Sequence, residues 1–440
     1  MNAWLLPAST PALRSLRDYG RPRLGQIYVW SVPLAAAAGG LKGIRLFGLE
    51  YTGYLWLAYF VAGWFLLLAE LAVRRDTRPT MPSGRWLIWL TVVWGSFAWG
   101  DRGWRNVQDA LQLSLPILVG VLASIYIRRA ADLQPLLRNC GIATAGIAAL
   151  FVAEKLGIVA VTGLVSDIRA CALTLALYGA FFLAAIPDRW FWPLVGWAGC
   201  IMLTFVTGGR MATLALLAVP VLHPRLKSTT IRFGAIAVFL AMGIGLFYTP
   251  VFQKRFFYEG KGTLSQVMRG EFLGAGRFEA WPLIYSEAEN KPWLGYGVGT
   301  TRGFVPTVWE DMTLPHNDYL RIAFELGILG LSIYLLATFS QMISLGREMS
   351  RTKGIVRYAF AATLLGWFVF LISACTDNPL TYAVWFTNPL FALMGAAYGV
   401  ATREPREGQS PTSFEFEPSE NDELQVTIVP FTDAQGEDRS

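Results

Sequence analysis

Charge is what this chain has least of. Asp, Glu, Lys and Arg make up 15% of its 440 residues, against about 25% in a soluble domain. Histidine is scarcer still, with His223 and His316 the only two. The four cysteines (Cys140, Cys171, Cys200, Cys375) are scattered, with no CxxC and no Cys/His spacing. A zinc site and a disulfide framework are therefore not expected. Nor is there a recognisable pair of catalytic carboxylates of the glycosidase kind, which argues against hydrolysis.

In place of charge there is apolar mass. Hydrophobic residues reach 54% and mean hydropathy is +0.42, so most of the chain belongs in lipid. A hydrocarbon core takes roughly 20 apolar residues as helix. Runs of this kind, some short, lie near 26–41, 52–73, 86–100, 107–127, 140–160, 170–187, 190–206, 209–222, 233–250, 318–342, 356–376 and 381–400. The expected fold is an all-α polytopic membrane protein of about 12 transmembrane helices. Seventeen Trp and sixteen Tyr suit interfacial belts.

Lysine and arginine orient the spans, because cytoplasmic loops carry the excess. With the N-terminus inside, cytoplasmic segments before the tail hold 19 Lys/Arg and the short outer loops about six. Both termini are then cytoplasmic. Residues 1–25 read as a basic cytoplasmic leader, 26–250 as spans one to nine, and 318–400 as spans ten to twelve. Residues 401–440 hold ten acidic and three basic residues, net −7, which leaves the first 400 at +13. This tail is expected to be cytoplasmic and disordered. Basic loops beside spans suit anionic headgroups, and no nucleic-acid partner is expected.

The interval 251–317 is too long for a connector and too polar to span. It balances seven Lys/Arg against seven Asp/Glu and reads as one large, partly helical outer (periplasmic) loop. Long loops with structure of their own are usually functional. Within it, Arg277, Trp281 and Ile284/Tyr285 fall on one helical face, a cation beside an aromatic and apolar stripe. Gly295-Tyr296-Gly297-Val298-Gly299-Thr300 imitates a phosphate loop but lacks the strand-to-helix context and the Lys-Ser/Thr; it reads as a tight turn.

Polar groups at membrane depth cost about 2.5–3.5 kcal/mol each on insertion scales, so each needs a partner or a role. Glu70 and Arg74, and again Arg321 and Glu325, stand four apart and read as ion pairs. Arg210 follows Thr207-Gly208-Gly209 at an outer turn with no acidic neighbour in sequence. A guanidinium there suits a phosphate. His223, in His-Pro-Arg-Leu-Lys, reads as solvated or headgroup-facing. His316 stands at the start of the run near 318, where Asn317 or Asp318 is placed to cap a helix. The positive field of a helix N-terminus disfavours imidazolium and leaves a histidine able to accept a proton.

Taken together, Arg277-x-x-x-Trp281, Pro292-Trp293-Leu294-Gly295-Tyr296-Gly297, His316-Asn317-Asp318-Tyr319-Leu320 and Glu325-Leu326-Gly327-Ile328-Leu329-Gly330-Leu331 resemble the O-antigen ligase/polymerase superfamily of bacterial envelopes. The likeness is specific over about 277–331 and extends loosely to the Gly-Gly-Arg210 turn and the twelve-span plan. It implies a C-type glycosyltransferase-like fold in the inner membrane, with the site facing the periplasm. It implies a metal-independent, cofactor-free transfer from an undecaprenyl-diphosphate-linked O-antigen donor. The acceptor would be lipid A–core oligosaccharide in a ligase, or another lipid-linked repeat in a polymerase. By position, His316 would be the general base, Arg210 and Arg277 the diphosphate-binding cations, and Asn317, Asp318 and Trp281 supporting residues.

The chemistry agrees with that reading. Departure of a diphosphate needs cations or N–H dipoles aimed at developing charge, and one histidine can deprotonate the incoming hydroxyl. Attack opposite the diphosphate would invert the anomeric centre. Protein O-oligosaccharyltransferase is a further alternative using the same donor. A lipid-linked-sugar transporter is the rival from another class, and it would place ionisable residues near the midplane of several spans. Here the best candidates gather on one surface.

Overall fold

The computed structural model describes residues 22–403, apart from 40–44, 47–48, 74–77, 158–167, 189, 226–228, 258, 270, 272–273, 275, 311 and 383–384. Most of the basic leader, Arg74 and the acidic tail beyond 403 lie outside the described residues. Among the described residues the regular elements are helices except for a two-stranded antiparallel pairing, Arg45–Leu46 with Leu49–Glu50.

Each of the twelve apolar runs coincides with a helix. The first nine are α1 (Leu24–Gly39), α2 (Tyr51–Val73), α3 (Gly84–Gly95), α4 (Trp104–Tyr126), α5 (Ala130–Lys155), α6 (Ile168–Ala185), α7 (Phe191–Thr207), α8 (Arg210–Ala218) and α9 (Thr229–Phe247). The polar interval contributes α10 (Pro250–Phe256), α11 (Leu264–Met268), α12 (Arg277–Ala288) and α13 (Thr301–Val308). Then follow α14 (Asp318–Arg351), α15 (Gly354–Ala374) and α16 (Thr387–Ala401). Five of these, at Tyr54–Val73, Trp104–Tyr126, Ala130–Lys155, Asp318–Arg351 and Gly354–Ala374, are long and apolar enough to cross a membrane. Five shorter apolar helices accompany them. On α2, Leu57, Val61, Trp64, Phe65, Leu68 and Leu71 are all exposed. Water would not tolerate so continuous an apolar face, and the chain is a multi-pass membrane protein.

The core gathers around α4 and α16. All fifteen residues of α16 are buried, and α4 is buried over most of its length. Gly395 and Gly399, four apart on α16, let the two backbones touch: a Cβ at Gly395 would run into the carbonyl of Gly120 on α4. Small residues at this spacing are what close helix packing in lipid requires. A chain of buried polar groups crosses the same region. Trp86 Nε1 donates to Gln341 Oε1 (3.3 Å), Gln341 Nε2 to the Tyr398 hydroxyl (3.1 Å), and that hydroxyl to Ser344 Oγ (2.7 Å).

The loop and α14 share one hydrogen-bond ladder. Gly327 takes φ 66°, ψ −174° in the middle of α14, a conformation glycine alone adopts without penalty. The break costs α14 the bonds from Ile328 N–H to the Phe324 carbonyl and from Leu329 N–H to the Glu325 carbonyl. All four groups find partners in the segment before α13. Ile328 N–H donates to Pro292 O (2.7 Å) and Leu329 N–H to Trp293 O (3.3 Å), while Phe324 O accepts from Tyr296 N–H (3.0 Å) and Glu325 O from Gly297 N–H (2.7 Å). Buried backbone groups must be paired somewhere, and here each set pairs the other. The glycine-rich turn is therefore structural, as its missing phosphate-loop context indicated. Its amides at 296 and 297 are bonded to protein carbonyls, and Val298 N–H donates to Ser96 Oγ (3.0 Å).

Candidate active site

His316 sits between three elements. Asn317 caps α14, its Oδ1 accepting Leu320 N–H at 3.0 Å. Asp318 is fully buried, and its Oδ2 accepts the Leu380 N–H at 2.8 Å. One residue before the histidine, the Pro315 carbonyl accepts the indole N–H of Trp281 on α12, at 2.6 Å. His316 itself has φ 50°, the one non-glycine residue with positive φ among those described. Such a backbone costs of order 1–3 kcal/mol and persists where its surroundings over-determine it. The imidazole is partly exposed (14%), with Nδ1 3.0 Å from Asn378 Nδ2 and 3.7 Å from Asp377 Oδ1.

Asn317 and Asp318 are the neighbours expected from the sequence to support His316. The structure gives the first the helix cap and the second a backbone amide, and it brings Asp377 and Asn378 to Nδ1. These two lie beyond the end of α15, some sixty residues away. Antiparallel packing of α14 and α15 delivers them, marked by the Tyr319 hydroxyl donating to Leu371 O at 3.0 Å. The only signal in the sequence was a polar Thr-Asp-Asn-Pro between two apolar runs.

Arg277 is the first residue of α12, after Gly276 at φ 74°. It stands one helical turn, about 6 Å along the axis, from Trp281. Ile284 is fully buried beside Ala280, Val305, Met312 and Phe324, so the stripe 277/281/284 faces the loop's own small core. Tyr285 does not share it and is 60% exposed. At 100° per residue an i+7 partner falls about 20° off the stripe and an i+8 partner about 80° off, which excludes Tyr285.

Arg210 opens α8, with its guanidinium over the Phe256 ring of α10 at 5.5 Å. Contacts along the helices place it. Gly209 lies against Ala172, Gly179 against Leu216, and His223 reaches Leu183 O, so α6 and α8 run in the same direction. Leu177 packs beside Gly366 and Phe181 O accepts from the Tyr358 hydroxyl, so α15 runs against them. The starts of α6, α8 and α14 and the end of α15 thus fall at one end of the helix set. Arg210 and His316 both belong to that end, and the Trp281–Pro315 bond brings α12 to it.

A buried ion network lies on α14 just beyond the histidine, only one pair of it at a spacing visible in the sequence. The expected Arg321–Glu325 pair is present at 3.1 Å. Asp109 of α4 extends it, accepting Arg321 Nη2 at 3.1 Å and gripped through both oxygens by Arg302 of α13 at 2.8–3.1 Å. Arg321 Nη1 also donates to Thr381 Oγ1 (2.8 Å), and the Thr301 hydroxyl donates to Glu325. Two cations and two anions balance, which is what allows the group to be buried at all. It fastens α13 and the turn after α15 onto α4 and α14.

Glu70 reaches Arg128 at 3.3 Å, a partner 58 residues on that i, i+4 spacing could not reveal; Arg74, its expected partner, lies outside the described residues. One other expectation needs correcting. His223 is neither solvated nor at a headgroup: it is fully buried. Its Nδ1 accepts the Arg225 N–H (3.2 Å), so Nε2 carries the proton and donates to Leu183 O (3.3 Å). Burial pushes its pKa down to about 4. The neighbouring cation, Arg225, makes a forked ion pair with Asp188 at 2.6 Å instead of facing lipid.

Residues 194–335 match the family model described as O-antigen ligase. The matched segment is 142 of the 440 residues. It contains Arg210, Arg277, Trp281, His316, Asn317, Asp318 and the interlocked pair of motifs around Gly297 and Gly327. Asp109, Asp377 and Asn378, which complete its surroundings, come from outside it. Two relatives from Rickettsia are named candidate polysaccharide ligases. That of Rickettsia conorii is 26% identical over 140 residues, covering 29% of this chain and 33% of that protein. That of Rickettsia felis is 28% identical over 151 residues, covering 32% and 34%. The match thus spans about a third of the length of each relative.

Proposed function

We propose that the protein is a membrane glycosyltransferase acting as an O-antigen ligase. In this reading it moves O-antigen polysaccharide from undecaprenyl diphosphate to a sugar hydroxyl of lipid A–core oligosaccharide. The chain crosses the bacterial inner membrane about twelve times, both termini are cytoplasmic, and 251–317 forms a periplasmic loop over the site. The observation that carries the reading is the placement of His316. A partly exposed imidazole, held in a strained backbone conformation between α12, α14 and the turn after α15, lies in a ligase-family segment at the same end of the helices as Arg210.

The residues divide the work as the reaction requires. His316 takes the proton of the acceptor hydroxyl as general base. Arg210 and Arg277 hold the donor diphosphate and stabilise its departure with inversion at the anomeric carbon. Asn317, Asp318 and Trp281 fix the helix start and loop that carry the base. Transfer from purified lipid-linked donor to lipid A–core should vanish in His316→Ala while the protein still inserts and folds. Full activity in that variant would remove the base assignment. Donor binding should weaken in Arg210→Ala and in Arg277→Ala. The lipopolysaccharide of a deletion strain separates ligase from polymerase: bare core with accumulated lipid-linked polymer supports the ligase, and core capped by one repeat supports the polymerase.

A further inference from the structure

We propose that Asn378 and Asp377 are positioning residues that hold His316 with its proton on Nδ1, leaving Nε2 as the atom that receives the acceptor proton. The inference rests on His316 being the base and says which nitrogen acts and what selects it.

Three observations carry it. Nδ1 lies within hydrogen-bond distance of the Asn378 amide, at 3.0 Å. The other amide atom, assigned as Oδ1, is buried without a partner, so nothing on that side fixes which end of the amide is oxygen. The oxygen and nitrogen of an amide are distinguished by their bonding network, so the pair has two arrangements. In one, Asn378 N–H donates to Nδ1, which puts the imidazole proton on Nε2 and leaves no lone pair there for catalysis. In the other, the amide oxygen accepts Nδ1–H and the Nε2 lone pair faces away from 377–378, able to take a proton. Asp377 decides between them. Its Oδ1 is 3.7 Å from Nδ1 and is held in place by the Asn378 backbone N–H at 2.9 Å. A carboxylate beside Nδ1 attracts an N–H and repels a lone pair, so the Nδ1–H arrangement wins.

The same geometry serves the reaction. As the acceptor oxygen bonds to the anomeric carbon, its proton passes to Nε2 and the carbon–oxygen bond to the diphosphate breaks, its electron pair leaving with the diphosphate. The imidazole becomes imidazolium at that moment, with Asp377 next to the new charge. The product imidazolium returns its proton to solvent. The strained φ of His316 fits this arrangement, because the turn before α14 must aim Nδ1 at 377–378 and Nε2 away from them.

The histidine count makes the test direct. With only His223 and His316 in the chain, 15N-histidine labelling of the full-length protein in detergent yields two imidazoles. His223 is fixed as the Nε2–H form by Arg225 and Leu183, and its signals are identified by their loss in His223→Gln. The expected result is opposite tautomers, with His316 protonated at Nδ1; two Nε2–H imidazoles would overturn the proposal. Kinetically, Asn378→Ala should lower kcat by about 10²-fold, the lower end of what a general base contributes, with KM for either lipid changed less than twofold. Asn378→Asp, which can still accept Nδ1–H, should recover most of it. Asp377→Asn should move the acid limb of the kcat/KM profile about one unit lower. The nearby titratable and charged groups on the elements packed around the histidine, Asp318, Arg321 and Glu325 of α14 and Arg277 and Glu279 of α12, are unaltered in that variant. Unchanged kcat in Asn378→Ala sinks the proposal while leaving His316 as base, whereas an active His316→Ala sinks the base reading itself. Should Asn378→Ala fail to fold, the tautomer in the unaltered protein decides.

Discussion

Trp281 Nε1 donates to the Pro315 carbonyl at 2.6 Å, and this single bond ties the loop helix to the residue before His316. Trp281→Phe keeps an aromatic ring and removes the donor. The orphaned carbonyl should cost about 1–2 kcal/mol of stability, read as a lower melting temperature in detergent. With the histidine's backbone less constrained, kcat should fall by about tenfold or more. A variant with unaltered kcat would show that α12 does not position the base.

Strain at His316 makes a prediction of opposite sign for stability and activity. His316→Gly removes the base but accepts φ 50° without penalty. Thermal unfolding should show a protein at least as stable as the parent, against no detectable transfer. A clear loss of stability would mean that imidazole contacts outweigh the backbone term.

The buried ion network should fail as a unit. Asp109→Ala leaves Arg321 and Arg302 without their shared carboxylate, and breaking a buried pair costs about 3–5 kcal/mol. Arg302→Ala alone should cost less, because its side chain is 26% exposed and Asp109 keeps Arg321. In a double-mutant cycle Asp109→Ala and Arg302→Ala should be strongly non-additive; simple additivity would show that Asp109 and Arg302 do not stabilise each other.

A side chain at Gly327 has no room. A Cβ there would run into the Trp293 carbonyl, and φ is positive. Gly327→Ala should prevent the loop and α14 from pairing, giving low yield or a melting temperature several degrees lower. Gly346→Ala, on the same helix with open space around it, is the control and should be neutral or slightly stabilising.

His223 should make stability depend on acid. Its pKa falls from 6.5 in the unfolded chain to about 4 when buried. Between those values the unfolded chain binds a proton that the folded one refuses, so stability rises with pH across that window. The contribution, about 3 kcal/mol, is complete above pH 6.5 and lost progressively as pH falls to 4. Unfolding curves of His223→Gln should lose this slope; an equal slope would assign the acid sensitivity to other groups.

What was legible in the sequence was what short-range rules govern. Apolar runs became helices because the cost of unpaired backbone in lipid leaves little choice. Asn317 became a cap, Arg321 met Glu325 one turn later, and Arg277, Trp281 and Ile284 lined one face. What escaped depends on which helices lie side by side. Asp377 and Asn378 reach the histidine only because α15 returns antiparallel to α14, and Asp109 meets Arg302 across 193 residues. The burial of His223 beneath the end of α6 was invisible for the same reason, since a basic neighbourhood in sequence says nothing of what covers it.

The interlock at Gly327 also has a consequence for assembly. The carbonyls of Pro292 and Trp293 are made about 35 residues before the amides of Ile328 and Leu329 that need them. Alone in lipid, α14 would recover its own bonds by straightening at Gly327, because unpaired amides and carbonyls cost several kcal/mol each in hydrocarbon. The bend therefore exists only with the loop in place, its carbonyls and amides exchanged for those of the helix. Docking of the loop and bending of α14 are one event, and that event joins the halves of the site.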